Sequence, residues 1–289
     1  MGVTLLQTIE ETRRAVTERR RARATIGLAP TMGALHAGHA ALVECARRGS
    51  DFVVVTIFVN PTQFNRPDDY RRYPRTLERD LDFCERLGVD LVFAPSEEEM
   101  YPRAPYTSVE VSRVSEHLCG AFRPGHFRGV ATVVAKLFNI VPADHAYFGE
   151  KDAQQLALIR RLAADLNFPI RIVAVPTVRE ADGLALSSRH ALLTPEERRA
   201  APVLYRALRE AARLIDAGEA RAAAAREAAL AVLGREPLAR VEYLDVVDPE
   251  EMQPVEQISG PVRVAGAAWL GPTRLIDNLL CAPPSSARD

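Results

Sequence analysis

Two histidines spaced as His36-Ala37-Gly38-His39 are the sharpest chemical feature of the sequence. They follow an apolar run through Pro30-Thr31-Met32-Gly33-Ala34-Leu35 and open an amphipathic stretch, which puts them at a helix start. Backbone N–H groups at such a start, together with the helix dipole, favour phosphate. Gly33 and Gly38 let the backbone come close to a ligand. Two imidazoles there can hydrogen-bond phosphate oxygens as charge builds during phosphoryl or nucleotidyl transfer. The same residues also read as a turn with one capping and one packed histidine. Zinc fits poorly, because a third ligand is not near and no HExxH occurs.

Three further clusters could serve the same chemistry. Asn60-Pro61-Thr62-Gln63-Phe64 follows a strongly apolar run, so the amides of Asn60 and Gln63 stand at a strand's carboxyl end. They can donate and accept toward a substrate carrying hydroxyl and carboxylate groups, or simply make an Asx-type turn. Gly149-Glu150-Lys151-Asp152 occupies another strand-to-helix junction. Of 37 basic residues only Lys136 and Lys151 are lysines, so lysine is used sparingly. A mobile ammonium at position 151 suits triphosphate oxygens, and a surface ion pair is the plainer alternative. Gln155, four residues on, is expected on the same helix face as Lys151. Lys136, inside an apolar helix, reads as snorkelling or structural. Ser187-Ser188-Arg189 lies in a polar loop and can close on phosphates as a mobile clamp, or be a turn before a helix. No GxGxxG, GxxxxGK[ST] or GxSxG occurs.

The elements that must position these residues follow from apolar periodicity. Residues 25–29, 51–59, 90–94, 146–148 and 170–175 read as strands, the first ended by Pro30. Residues 1–24, 39–48, 75–87, 130–141 and 152–166 read as helices. The run at 52–59 is continuously apolar, as in a strand covered on both faces. The expected fold is α/β: a Rossmann-like, doubly wound parallel sheet over residues 1–178, whose ligands sit beyond the strands' carboxyl ends. A second, smaller α+β domain is expected over 179–289. It starts with a helix capped by Thr194 with Pro195 at its first position, running to about 217. A helix over 219–233, strands at 240–247, 262–270 and 274–280, and a tail at 282–289 complete it.

The length of 289 residues with 47% apolar content suits a globular chain with a substantial core. A formal charge of −1 argues against a generally basic nucleic-acid surface. Four scattered cysteines, with no CxxC, read as reduced thiols of a cytosolic protein. Residues 1–24 lack the apolar core of a targeting signal, and no uncharged run approaches a membrane span.

Taken in order, Pro30 to His39, Phe58 to Phe64, Tyr73-Pro74-Arg75-Thr76, Phe148 to Asp152 with Gln154-Gln155, and Pro176 to Ala185 running into Ser187-Ser188-Arg189 resemble the pantothenate synthetases (pantoate–β-alanine ligases). These belong to the HIGH-type nucleotidyltransferases, which include class I aminoacyl-tRNA synthetases. The resemblance runs nearly end to end. The HxGH element alone indicates only the superfamily, whereas the five together are specific.

The resemblance implies ATP-dependent condensation of (R)-pantoate with β-alanine through pantoyl adenylate, with AMP and pyrophosphate as by-products. It implies that Met32, Gly33, Ala34, Leu35, His36, Ala37, Gly38 and His39 line the ATP site. His36 and His39 act on the α-phosphate, with His36 as proton donor. It places Gly149, Glu150, Lys151, Asp152, Val178, Leu186, Ser187, Ser188 and Arg189 on ATP, and Lys151, Ser187, Ser188 and Arg189 on its phosphates. Asn60, Gln63 and Gln155 are expected to hold pantoate. Mg²⁺ accompanies the triphosphate, and Asp80 is a candidate indirect partner of metal or phosphate. A cytoplasmic homodimer is implied, with no nucleic acid or membrane as partner. Leu186 stands where many members carry Met, and Ala153 where an aromatic residue is common. Three rivals stand against this reading: a nucleotidyltransferase that leaves the nucleotide on its product, an ATP-binding regulatory module, and a tRNA-binding relative.

Overall fold

The computed structural model of the chain describes residues 2–284, so 285–289 of the expected tail lie outside the described residues. The elements run β1 (Thr4–Leu6), α1 (Ile9–Arg21), β2 (Ile26–Thr31), α2 (Ala37–Gly49), β3 (Phe52–Ile57), a 3₁₀ turn (Pro61–Gln63), α3 (Pro67–Arg72), α4 (Leu77–Arg86), β4 (Leu91–Phe93), α5 (Glu97–Met100), α6 (Cys119–Phe122), α7 (His126–Ile140), β5 (His145–Gly149), a 3₁₀ turn (Glu150–Asp152), α8 (Ala153–Asp165) and β6 (Arg171–Val175). After a third 3₁₀ turn (Ser188–Leu192) come α9 (Pro195–Ala200), α10 (Val203–Asp216), α11 (Ala222–Leu233), β7 (Ala239–Val247), β8 (Val262–Leu270) and β9 (Thr273–Cys281).

The chain divides into two units. The first takes residues up to Val111, Arg123–Glu150 and Leu158–Val178. The second takes Ser112–Phe122, Lys151–Ala157 and the chain from Arg179 onward, so it includes two short segments that a single cut at 178/179 leaves in the first.

The first unit holds a six-stranded sheet in the order β1-β4-β3-β2-β5-β6, and every pairing is parallel. The winding reverses at β2, which has β3 on one side and β5 on the other. That is the switch point at which doubly wound sheets open a crevice beyond their carboxyl ends. The Phe52–Val55 stretch of β3 is buried on both faces, as its unbroken apolarity predicts. Ala29, Val43, Val55, Cys84 and Val92 form one cluster of the core, and Leu42, Ala46, Val53 and Tyr147 another. The second unit packs Leu204, Leu208, Ile215 and Leu233 of α10 and α11 against Leu244 and Val264 of the antiparallel sheet β7-β8-β9.

Four expectations need correction. The N-terminal stretch is not helix throughout, since Thr4–Leu6 pairs in parallel with β4 at the sheet edge; three residues are too few to show a period. Pro30 does not end β2, which continues to Thr31. The Thr31 carbonyl accepts from Phe58 N–H on the β3 side, so the Pro30 nitrogen faces the other way, where pairing with β5 has stopped at Leu28. The helix after Thr194 is two helices, because Pro202 has no N–H to carry the ladder from α9 into α10. Thr194 nevertheless caps as expected, in a reciprocal box with Glu197. The apolar helix α7 starts four residues before 130, behind Gly125 in the left-handed region.

All four cysteines are free. Burial, with the Asp80 carboxylate adding to it, pushes the Cys84 thiol up to about 12, and burial pushes Cys281 up to about 11. Both are unreactive thiols at neutral pH. Among the described residues no helix is long and apolar enough to cross a membrane.

Candidate active site

In the first unit the loop from β2 to α2 turns through Gly33 and Ala34, at φ of 79° and 51°. The positive φ favours glycine at position 33, and a Cβ there would stand in tight contact, 3.0 Å from Asp80 Oδ2. The Asp80 carboxylate, 1% exposed on α4, accepts from Ala34 N–H at 2.9 Å and Leu35 N–H at 2.8 Å. Thr76 Oγ1 donates to it at 3.1 Å. Asp80 therefore holds the loop that precedes the histidines, with its oxygens engaged by the protein itself. The buried Leu35 side chain anchors the same loop in the core beside Val43 and Val55.

His36 is the N-cap of α2 and His39 its third residue. Gly38 N–H donates to His36 Nδ1 at 3.1 Å, and His36 N–H donates to His39 Nδ1 at 3.2 Å. The ring centroids lie 4.1 Å apart. The capping and catalytic readings of this pair are thus compatible. A ring that accepts at Nδ1 carries its proton on Nε2 when neutral, so both imidazoles are set in the tautomer that donates from Nε2.

Beyond the end of β3, Asn60 is buried and bonded on both polar atoms of its side chain. Its Nδ2 donates to Gln63 Oε1 at 3.0 Å and to the Gly129 carbonyl at 3.2 Å. Its Oδ1 accepts from Thr62 Oγ1 at 2.9 Å, Tyr101 Oη at 3.0 Å and Thr62 N–H at 3.4 Å. The expected Asx turn is present, and Asn60 stands behind Gln63 with its amide turned into the protein. Gln63 Nε2 lies 3.0 Å from Met32 Sδ. The Gln63 carbonyl accepts from His126 Nδ1 at 2.7 Å and from the Arg123 guanidinium at 3.2 Å. Gly129 on α7 makes room for this turn, since a Cβ there would lie 2.3 Å from the Thr62 carbonyl oxygen.

In the second unit Lys151 sits in the 3₁₀ turn before α8, so it does not share a regular helix face with Gln155. Its carbonyl accepts from Asn278 Nδ2 at 2.9 Å. Burial lowers its ammonium below the ordinary lysine value, with Arg189 and Arg179 adding to the effect and Asp152 and Asp277 opposing it. The adjacent glutamines diverge. Gln154 is buried, accepting from Cys119 N–H at 3.0 Å and donating to the Val114 and His117 carbonyls, both at 2.8 Å. Gln155 is half-buried.

The loop carrying Leu186, Ser187, Ser188 and Arg189 hangs from a rigid base. Arg179 makes a two-pronged ion pair with buried Asp277, at 2.6 and 2.9 Å, and stacks on Tyr205 at 4.3 Å. Arg198 binds Glu180 at 2.6 Å and Asp182 at 2.7 Å, and Glu180 also meets His190 Nδ1 at 3.2 Å. Burial and the nearby Lys151 hold His190 below the usual imidazole range. Ser187 Oγ accepts from Arg189 N–H at 3.2 Å, capping the turn that follows. Gly149, Glu150 and Val178 lie in the first unit, at or just beyond the ends of β5 and β6; Asp152 lies in the second.

Tyr101, Asp277 and Glu180 carry no local signal for their roles, because Asn60, Arg179 and Arg198 lie far from them along the chain; Asp80, expected as a partner of metal or phosphate, instead holds Ala34 and Leu35. Among the described residues no three His, Cys, Asp or Glu side chains stand close enough to hold a metal ion.

A family model described as pantoate-beta-alanine ligase matches residues 4–280. A pantothenate synthetase from Moorella thermoacetica is 54% identical over 276 residues, covering 96% of this chain and 98% of the relative. The crystal structure of pantothenate synthetase from Thermus thermophilus superposes with a TM-score of 0.91 at 49% identity, over 96% of this chain and 99% of that one. A pantoate-beta-alanine ligase from Francisella tularensis, complexed with beta-gamma ATP and beta-alanine, gives 0.81 at 35% identity over 96% and 98%. With agreement of this extent in both sequence and backbone, the chain belongs to the pantoate–β-alanine ligases.

Proposed function

We propose that the enzyme joins (R)-pantoate to β-alanine in two steps, through a bound pantoyl adenylate. In the first, a pantoate carboxylate oxygen attacks the α-phosphorus of ATP, the bond to the β-phosphate breaks, and pyrophosphate leaves. In the second, the amine of β-alanine attacks the acyl carbon, the bond to AMP breaks, and the nitrogen gives up a proton as pantothenate forms. The observation that carries this reading is the shared tautomer of His36 and His39. Each Nδ1 accepts from a backbone N–H, so each neutral ring carries its proton on Nε2, which suits stabilising charge on a phosphate under attack rather than supplying a nucleophile. On the family resemblance, His36 is the proton donor of the pair.

Residues 32–39, 149–152, 178 and 186–189 contact ATP, with Lys151, Ser187, Ser188 and Arg189 on its phosphates. At Gly149 a Cβ would meet nothing within 4 Å, which leaves room for a nucleotide beside the backbone. Mg²⁺ is carried by the triphosphate and supplies charge neutralisation there. Gln63 and Gln155 hold pantoate, and Asn60 supports Gln63. The Francisella ligase is a complex with beta-gamma ATP and beta-alanine, which supports ATP and β-alanine as ligands of this chain. The protein is read as cytoplasmic and homodimeric on the family resemblance and its reduced cysteines.

The test is release of pyrophosphate and AMP from ATP, Mg²⁺ and (R)-pantoate, with and without β-alanine. Pyrophosphate limited to about one equivalent per site without β-alanine, as a trapped intermediate dictates, and sustained AMP with it are expected. Sustained turnover indifferent to β-alanine would overturn the two-step reading.

A further inference from the structure

We propose that Tyr101 is a positioning residue for pantoate: its hydroxyl, working through Asn60, fixes the side-chain amide of Gln63 so that the NH₂ end is offered to the ligand. The inference rests on the reading that Gln63 meets pantoate.

The orientation of Asn60 is set by groups that have no choice of role. The Gly129 carbonyl can only accept, and lies 3.2 Å from Nδ2; Thr62 N–H can only donate, and points at Oδ1 from 3.4 Å. Tyr101 Oη, at 3.0 Å, and Thr62 Oγ1, at 2.9 Å, add donors at the same oxygen. The remaining Nδ2 hydrogen meets Gln63 at 3.0 Å, which obliges Gln63 to present Oε1 there and turns its NH₂ the other way. That NH₂ lies against the thioether of Met32 at 3.0 Å. Sulfur is a weak acceptor, so a carboxylate or hydroxyl oxygen of the substrate replaces it with net gain. Asn60, 1% exposed, acts through Gln63 rather than on the ligand.

Tyr101 is itself held in place. Its ring lies 6.1 Å from that of Phe58, and Lys136 Nζ stands 5.1 Å from its centroid. This gives one of the chain's two lysines a defined contact. Burial keeps the Tyr101 phenol above its ordinary range, so it stays a donor at neutral pH.

The experiment is a double-mutant cycle on Tyr101→Phe and Asn60→Ala, read as separate KM values for (R)-pantoate and ATP. Tyr101→Phe, which removes one oxygen and keeps the ring, is expected to raise the pantoate KM about 3- to 10-fold and leave the ATP KM unchanged. Asn60→Ala raises it further, and the double variant is no worse than Asn60→Ala alone, because the hydroxyl then has nothing to act through. Additive losses, an equal rise in both KM values, or a pantoate KM unchanged in Tyr101→Phe overturn the proposal. Where Asn60→Ala fails to fold, the split between the two KM values in Tyr101→Phe decides. Absence of pantoate-dependent turnover in the wild-type enzyme is a separate result, which refutes the assignment of pantoate itself before any variant is compared.

Discussion

Asp80 is where the reasoning is most exposed, because a single carboxylate holds the loop that presents both histidines. Asp80→Asn keeps the volume and one acceptor oxygen but replaces the other with an NH₂ group. The carboxylate now accepts from Ala34 N–H at 2.9 Å and Leu35 N–H at 2.8 Å. The amide can accept one of these and must face the other with a donor. The loss is one hydrogen bond to a charged group, about 1.5–3 kcal/mol, plus about 1–3 kcal/mol for a buried N–H without a partner. Relaxation returns part of this, since Ala34 is held at φ 51°, a strain of about 1–3 kcal/mol for a residue other than glycine. The balance is roughly 2 kcal/mol against the native loop, or about 30-fold in the equilibrium between that loop and its displaced forms.

Single-turnover pyrophosphate release at saturating ATP and pantoate should therefore slow, by at most about that factor. Hydrogen exchange over residues 33–39 should accelerate in the same variant, while peptides from β3 and β4 keep wild-type protection. Wild-type exchange across the loop together with a wild-type rate refutes the claim that Asp80 sets the loop. Accelerated exchange across the whole first unit refutes it differently, by showing that the carboxylate supports global stability.

Other outcomes follow from the same geometry. His39→Ala should fold, because it removes only one side of the cap at His36, yet adenylate about 10²- to 10³-fold more slowly by analogy with deletion of an oxyanion donor; near-normal pyrophosphate release would contradict its role. Lys151 loses its proton more readily in the folded protein than in the unfolded chain, so its charged form costs stability below the lowered pKa. That cost is relieved as pH rises from the lowered value toward the ordinary lysine range. Triphosphate favours the charged form, so the ATP KM should climb over the same window in the wild type and stay flat in Lys151→Arg; a flat wild-type profile counts against Lys151 as a phosphate contact. Gly129→Ala drives a Cβ to within 2.3 Å of the Thr62 carbonyl oxygen, so the turn bearing Gln63 must move and the pantoate KM should rise more than the ATP KM. Equal KM values for the variant and the wild type would show that the turn adapts freely.

The features legible in the sequence are those encoded by neighbours along the chain. The continuous apolarity of residues 52–59, the Thr194–Glu197 box and the strand Val262–Leu270 all repeat or close over a few residues; the box and the last strand are found where the pattern puts them, and the apolar run forms its strand over Phe52–Ile57, two residues shorter than the run. The HxGH spacing likewise marks a helix start without knowledge of anything distant. What escaped depends on partners chosen by the fold. Pro30 can remain in a strand only because pairing with β5 has ended two residues earlier. Gln154 and Gln155 are identical in type and adjacent, yet the Val114 and His117 carbonyls and Cys119 N–H engage Gln154.

Asn60 and Gln63 show the same limit inside the site. Their separation allows the amide–amide hydrogen bond, and an Asx turn at Asn60 is a fair local reading. Neither fact says which end of Gln63 faces out. That is decided by the Gly129 carbonyl, 69 residues on, which can only accept, and reinforced by Tyr101, 41 residues on. A side-chain amide has two nearly equal ends, so its chemistry toward a substrate is undefined until fixed-role partners choose between them. Residue type and spacing therefore locate a binding group such as Gln63, while the sign of its hydrogen bond to the ligand comes from packing alone.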